Sequence, residues 1–248
     1  METYPLLAFL GLVAVGSYIQ AVSGFAIALI IMGGATSLSL APVPLTANVV
    51  TFVALANIAV ALYKLHGHVD RKITLFASIG LLVFTGPGRV LLAHLTQQAV
   101  ALLELLLGIF ILVSGAALMA HSHPLPRKSR PYTYLLAGGL GGLLSGLFGV
   151  GGPPLVVHLY RQPLAFATLR TTLLATLAMM CVVRIGLETY NGNITEEVVE
   201  LSLLSLPAAV VGALFARRYP PPISDGAMRR LAFGLLALLG LSLITSRL

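Results

Sequence analysis

The sequence predicts an all-α integral membrane protein, and three observations support this fold class. The chain of 248 residues is 58% hydrophobic and only 9% charged, whereas soluble domains carry about 25% charged residues. Its mean hydropathy is +0.97. Apolar stretches recur along the whole chain, and several approach the ~20 residues that a helix needs to cross a bilayer. We therefore expect the lipid bilayer to surround most of the chain.

Polar and glycine-rich breaks divide the chain into about eight to ten apolar segments. They cover approximately 5–22, 25–40, 45–63, 73–93, 99–119, 132–150, 151–160, 169–187, 198–216 and 229–246. Segment 151–160 would rise only about 15 Å as a helix, which is half of a ~30 Å hydrocarbon core. We therefore expect this segment to enter the membrane without crossing it.

The net charge of +7 is distributed in short loops, which argues against nucleic acid as a partner. The loop 121–130 carries bases and no acid, and the loop 217–230 carries four arginines against Asp225. The stretch 188–200 holds four glutamates and no base. Because cytoplasmic loops of membrane proteins are enriched in Lys and Arg, we predict that the two basic loops face the cytoplasm. The acidic stretch and both termini are then expected outside.

The two halves of the chain are predicted to be repeats. A shift of 122 positions superposes Gly16 on Gly138, Ser23 on Ser145, Gly24 on Gly146 and Thr46 on Thr168. The predicted organisation is an N-terminal membrane repeat (1–120), a basic cytoplasmic linker (121–131) and a C-terminal membrane repeat (132–248). Each repeat consists of a broken-helix pair followed by three transmembrane helices. A basic loop in the first half corresponds to an acidic one in the second, so the repeats are inverted, as in many secondary transporters.

The segment Ser145–Tyr160 reads SGLFGVGGPPLVVHLY and should form a helix-break-helix hairpin. Glycine permits a tight turn, while proline lacks an amide hydrogen and restricts the residue before it. A half-helix that starts at Pro153-Pro154 would direct its positive dipole end into the membrane, which suits an anion. The alternative role of such glycines is close helix packing, and we assign Gly138 and Gly142 to that role.

The first half has a matching stretch, AVSGFAIALIIMGGATS, from Ala21 to Ser37. It has Ser23-Gly24 at the equivalent position and lacks the double proline. We expect a second hairpin here, which enters from the other side of the membrane. Inverted symmetry would bring the two tips together near the midplane.

The stretch SGLFGVGGP (Ser145–Pro153) resembles the signature of the TauE/SafE sulfite exporter family, and QAVSGFAIAL (Gln20–Leu29) resembles its first-half motif. Nearly the whole chain takes part in the resemblance, including Ala167–Thr171, although Pro153 stands where the family commonly has a further glycine. The resemblance implies a secondary transporter of the cell inner membrane that exports sulfite or a short organosulfonate, without a cofactor. A carrier for another small carboxylate or sulfur metabolite, and a non-transporting membrane scaffold, are the alternatives.

The family likeness and the repeat together suggest which residues contact the substrate. The candidates are Ser23, Gly24, Phe25, Asn48, Ser145, Gly146, Phe148, Gly149, Gly151, Gly152, Pro153, Pro154 and Arg170. Arg170 and Asn48 occupy equivalent positions after the two breaks, and a guanidinium offers an oxyanion a bidentate fork. The alternative for Arg170 is a side chain that extends to the cytoplasmic interface.

Other ionisable residues within the spans are costly there and are therefore candidates for function. Arg89 and His158 could bind substrate or couple protons. Arg89 could instead pair with Glu104, and His158 could be a hydrogen-bonded helix residue. Arg184 is interpreted as an interfacial side chain or a partner of Glu188 four residues later. The sequence leaves proton coupling and homo-oligomer formation open.

Enzymatic and metal-dependent functions are not expected. The chain has no nucleotide-binding sequence of the P-loop type, and its histidine pairs lack the spacing of a zinc site. Ser145 is not preceded by a predicted strand, as a nucleophile elbow would require.

Overall fold

The computed structural model describes residues 3–23, 25–63, 68–98, 102, 105–110, 112–113, 116, 125–219, 234 and 241. Within these residues the chain forms helices and no strand, and five of the helices are long and apolar enough to cross a membrane. The predicted class, an all-α integral membrane protein, is confirmed.

Eight helices have defined ends in the described part of the chain. They are α1 (Thr3–Ser23), α2 (Ile27–Ser37), α3 (Val43–Leu62), α4 (Arg71–Gln98), α5 (Pro131–Phe148), α6 (Gly152–Tyr160), α7 (Phe166–Tyr190) and α8 (Glu196–Arg218). These helices match the predicted segments to within a few residues. The predicted segments 99–119 and 229–246 fall largely outside the described residues. Helix α4 contains Pro87 within its length.

Helices α5 and α6 form a hairpin that opens at one end of the molecule. The amide of Leu125 donates to the carbonyl of Arg161 at 2.6 Å, and the amide of Ser129 donates to Oε1 of Gln162 at 2.8 Å. The residues before α5 and after α6 therefore lie side by side. We call this the basic end, because Lys128 and Arg161 lie here.

Helices α1 and α2 form a second hairpin, which opens at the opposite end. A Cβ atom at Gly16 of α1 would lie 3.3 Å from Cγ1 of Ile27, the first residue of α2. Leu6, near the start of α1, lines a small cavity together with Glu197 and Glu200 of α8. We call this the acidic end. The two hairpins thus enter the helical bundle from opposite sides.

Helices α4 and α5 pack with their backbones in contact. A Cβ atom at Gly138 would collide with the carbonyl oxygen of Ala77, and one at Gly142 with that of Leu81. Gly146 approaches α4 in the same way, because a Cβ atom at Gly146 would lie 2.5 Å from the backbone nitrogen of Arg89. This four-residue spacing of small residues is typical of close helix packing in membranes. The structure therefore places Gly146 in this crossing.

Gly142→Ala should lower the free energy of unfolding by about 1–3 kcal/mol, because the new methyl group forces α4 and α5 apart. Thermal melting of the detergent-purified protein measures the effect. Gly186→Ala is the matched control, since a Cβ atom at this exposed helical position meets no atom within 4 Å. The control should be neutral or slightly stabilising through helix propensity. Equal melting temperatures for both variants would contradict the close packing.

Asp70 caps the start of α4 at the basic end. Its carboxylate accepts the amides of Lys72 and Ile73, both at 3.2 Å, and pairs with Nζ of Lys128 at 3.1 Å. Partial burial acts to raise the pKa of the Asp70 carboxyl, but the Ile73 amide, the Lys128 ammonium and the Lys72 amide outweigh it. The pKa therefore lies below its usual value.

Asp70→Ala should lower the free energy of unfolding by about 1 kcal/mol at neutral pH. The pKa of Asp70 is lower in the folded protein than in the unfolded chain, where it is about 3.9. The stability that its charge contributes is therefore fully present above the pKa of the unfolded chain and is lost as the pH falls through the pKa of the folded protein. The difference in melting temperature between wild type and variant should therefore narrow below about pH 4. A difference that stays constant down to pH 3 would show that ionisation of Asp70 contributes nothing.

Candidate functional site

The two helix breaks meet at a small central cavity of about 30 Å³. Residues 25–29 from the first hairpin form one wall, and residues 149–153 from the second form another. The predicted candidates Phe25, Gly149, Gly151, Gly152 and Pro153 are all brought together here. The N-terminal residues of α2 and α6 therefore lie around the same space.

The second break depends on one glycine with a left-handed backbone. Gly149 ends α5 with φ of 69°, and its amide donates to the carbonyl of Ser145 at 2.8 Å. A Cβ atom here would lie 2.8 Å from the carbonyl oxygen of Ala47. Helix α6 then begins at Gly152, and Pro153 and Pro154 supply no amide hydrogens to its first turn. Of the first three residues of α6, Gly152 alone therefore keeps an amide hydrogen, and the helix itself does not use it.

In the first break, the residue with a left-handed backbone among those described is an alanine and not a glycine. Ala26 adopts a left-handed conformation with φ of 93° immediately before α2, which is uncommon for a residue with a side chain. The predicted candidate Gly24 lies outside the described residues. Ser23 is the last residue of α1, and only its backbone is described. Phe25 is 1% exposed and lies edge-on to Tyr160 of α6.

Gln20 places a polar side chain at the central cavity. It is 2% exposed and lines the cavity with Phe25, Leu177 and Met180. Its Nε2 atom has no hydrogen-bond partner within the part of the chain that the structure describes. A buried donor without a partner is costly, so this amide is available to a ligand. Gln20 was not among the predicted site residues, although it opens the first-half motif.

A larger cavity of about 470 Å³ lies at the acidic end. Its lining includes the predicted candidates Asn48 of α3 and Arg89 of α4, together with Glu188 of α7 and Asn193. Nε of Arg89 lies 3.2 Å from Oε2 of Glu188, and Nδ2 of Asn193 donates to the same oxygen at 2.7 Å. The alternative partner of Arg89, Glu104, lies outside the described residues.

Arg184 lies between the two cavities and is 1% exposed. Its NH1 group donates to the carbonyl oxygens of Ser145 and Gly146 in the last turn of α5. Its NH2 group donates to Oδ1 of Asn48 at 3.2 Å and lies 3.7 Å from Oε1 of Glu188. The side chain does not extend to an interface. Pairing with Glu188, the second alternative from the sequence, is the one observed.

Arg170 makes a similar contact with the other hairpin. Its NH2 group donates to the carbonyl oxygen of Ala21, in the last turn of α1. The structure does not bring Arg170 and Asn48 together, because the guanidinium that contacts Asn48 belongs to Arg184. Basic side chains stabilise the C-terminal carbonyls of helices. Arg170 therefore caps the end of α1 and Arg184 caps the end of α5, and these two helices are the long arms of the hairpins.

The remaining candidates lie elsewhere. His158 is 3.0 Å from the hydroxyl of Thr133 through Nε2 and packs edge-on against Tyr134. With Pro153 and Pro154 it lines an apolar groove of about 420 Å³, separate from the acidic-end cavity. Phe148 is 1% exposed and stacks on Phe110 with ring centroids 6.0 Å apart.

Apolar helices that are long enough to cross a membrane, together with paired helix breaks, are typical of multi-pass membrane transporters. A protein-family model described as "Sulfite exporter TauE/SafE" matches residues 7–243, and the chain belongs to this family. The family consists of membrane transporters rather than enzymes, and the resemblance noted in the sequence is confirmed. The protein is accordingly assigned to the cell inner membrane.

Two curated proteins are similar to the chain. "Probable sulfite/organosulfonate exporter TauE" from Cupriavidus necator is 39% identical over 240 residues, which cover 97% of this chain and 94% of that protein. "Probable inner membrane transporter protein TsaS" from Comamonas testosteroni is 30% identical over 139 residues, or 56% of this chain and 58% of that protein. No solved structure matches the chain.

Proposed function

We propose that this protein is a secondary transporter that exports a small anion, sulfite or a short organosulfonate, by alternating access around its paired helix breaks. The observation that carries the proposal is the central cavity. There, the N-terminal residues of two half-helices from opposite hairpins surround the amide of Gln20, which has no hydrogen-bond partner among the described residues. The substrate class is supported by the relative that is named as a sulfite/organosulfonate exporter.

The electrostatics of the central cavity favour a negative charge. The N-terminus of a helix carries a partial positive charge and free amide donors. Such donors bind oxyanions without any cationic side chain. Here α2 and α6 supply them from two sides, and the apolar side chains of Phe25 and Leu177 also line the cavity. A low local dielectric strengthens each of these interactions.

The size of the central cavity implies movement during transport. A volume of about 30 Å³ holds roughly one water molecule, which is too small for a sulfonate. The acidic-end cavity, at about 470 Å³, falls in the range of small-molecule sites. The hairpins must therefore separate at their tips for the substrate to bind, and this conformation is closed at the centre.

The proposed orientation and repeats complete the mechanism. The basic end, with Lys128 and Arg161, faces the cytoplasm in accordance with the distribution of basic loops. Residues 1–120 and 132–248 form two inverted repeats, each of which contributes one hairpin. Rocking of one repeat against the other would open the central cavity to each side in turn.

Uptake into proteoliposomes that contain the purified protein tests the proposed function. Radiolabelled sulfite, sulfate, thiosulfate, ethanesulfonate and acetate are compared, with and without an imposed pH gradient. Saturable flux of sulfite or ethanesulfonate is the expected result. Preferential flux of acetate would replace the substrate class with a carboxylate. No flux from folded protein would overturn transport of these anions.

A further inference from the structure

The acidic-end cavity contains a charge cluster that transport through the central cavity does not by itself require. Two guanidinium groups, of Arg89 and Arg184, share the single carboxylate of Glu188. Buried side-chain charges in a membrane are costly and are usually retained for function. Arg89, Arg184 and Glu188 together carry one positive charge in excess. They border a cavity that is large enough for a small organic anion and that Glu197 also lines.

We infer that this cavity binds the transported anion at the acidic end, and that Glu188 is the resident counterion which the anion replaces on Arg89. The inference rests on the proposed function, because it takes the transported species to be a small oxyanion. It assigns to Glu188 and Asn193 a role in ligand binding.

The contacts of Glu188 are those that a sulfonate or sulfite would make. Its Oε2 atom accepts from Nε of Arg89 at 3.2 Å and from Nδ2 of Asn193 at 2.7 Å. Carboxylate, sulfonate and sulfite oxygens are all acceptors for the same charge-assisted hydrogen bonds. An anion in the cavity would therefore compete with Glu188 for these donors.

The two arginines differ in their availability to an incoming anion. The side chain of Arg89 is 20% exposed and lines the cavity. Arg184 is 1% exposed and is held by the carbonyls of Ser145 and Gly146 and by Asn48. Arg89 can thus exchange its partner while Arg184 stays in place. After the exchange Glu188 keeps Arg184, so no buried charge is left without a counterion.

Glu188 competes with the anion for Arg89 through its negative charge. The charged groups that face it are Arg89 from α4 and Arg184 on its own helix α7, and Glu197 from α8 lines the same cavity. Asn48 from α3 and Asn193 contribute uncharged groups. Removal of the Glu188 charge by substitution should therefore strengthen anion binding at the acidic end.

Equilibrium binding of ethanesulfonate to the detergent-purified full chain tests the inference, with isothermal titration calorimetry at neutral pH. This sulfonate carries one negative charge at neutral pH. Glu188→Gln should bind about tenfold more tightly at neutral pH, since one charged competitor is removed. Glu196→Gln is the matched control and should retain the wild-type affinity, because this exposed glutamate does not line the cavity.

Arg89→Gln provides a second variant that does not depend on the folding of Glu188→Gln. Glu188 retains Arg184 and Asn193 in this variant, so the fold should be preserved. Binding of ethanesulfonate should weaken by about tenfold or more, because a charge-assisted hydrogen bond is lost. Arg89→Lys should restore part of the affinity, since the charge returns without the fork.

Equal affinity in wild type and Glu188→Gln would overturn the counterion role. Unchanged binding by Arg89→Gln, or no binding by folded wild type, would overturn the anion site. Flux measurements on the same preparations separate this inference from the proposed function. Binding without flux would sustain the site and reject transport. Flux by the wild type together with unaltered binding by Glu188→Gln would sustain transport and reject the inferred role of Glu188.

Discussion

Arg184→Gln should lower the free energy of unfolding by about 3–5 kcal/mol, which is the cost of removing one partner from a buried ion pair. The substitution removes the hydrogen-bond donors to the carbonyls of Ser145 and Gly146 at the end of α5. It also removes one of the two positive charges that neutralise the buried carboxylate of Glu188. The melting temperature in detergent and the yield of monodisperse protein measure the loss.

A second arginine provides the comparison for this effect. Arg217 is exposed at the basic end and makes a hydrogen bond of 3.4 Å to the carbonyl of Val60. Arg217→Gln should change the stability by no more than about 0.5 kcal/mol. If both variants melted at the same temperature, the contacts of Arg184 with α5 would not stabilise the fold.

Gly152→Leu should abolish transport while membrane insertion and folding remain intact. A Cβ atom at Gly152 would lie 4.0 Å from Cδ2 of Leu177, so the first side-chain atom fits. The remaining atoms of leucine would extend into the central cavity, whose volume of about 30 Å³ is close to that of one water molecule. Flux should therefore fall to that of vesicles without protein.

The control for this variant is Gly186→Leu, because Gly186 is exposed on α7 and a Cβ there meets no atom within 4 Å. Its flux and its elution in size-exclusion chromatography should match the wild type. Flux at the wild-type rate in folded Gly152→Leu would reject the central cavity as part of the substrate path.

The break in the second half was predictable because its cause is local. Gly149 supplies the left-handed turn, and Pro153 and Pro154 fit only the start of a helix. The predicted segment 151–160 is close to the observed α6, Gly152–Tyr160. The first break was harder to place, because there Ala26 adopts a conformation that alanine rarely takes.

The charged part of the candidate site depends on contacts between distant positions. Asn48 and Arg184 are 136 positions apart, and Arg89 and Glu188 are 99 apart. Without a fold, a sequence cannot select these pairs from other polar residues in apolar segments. Arg184 and Glu188 are four positions apart, about one helical turn, and this spacing predicted their ion pair from the sequence. It did not predict the hydrogen bonds of Arg184 to α5.

Helix α7 holds the long arms of both hairpins through Arg170 and Arg184, which lie fourteen positions apart. Fourteen residues make nearly four turns and about 21 Å of helix, so both arginines project from the same side of one rod. A tilt of this rod about its middle would move its two ends in opposite directions. The tips of α1 and α5 would then be displaced in opposite directions. The helical bundle would widen at one end of the molecule while it narrows at the other.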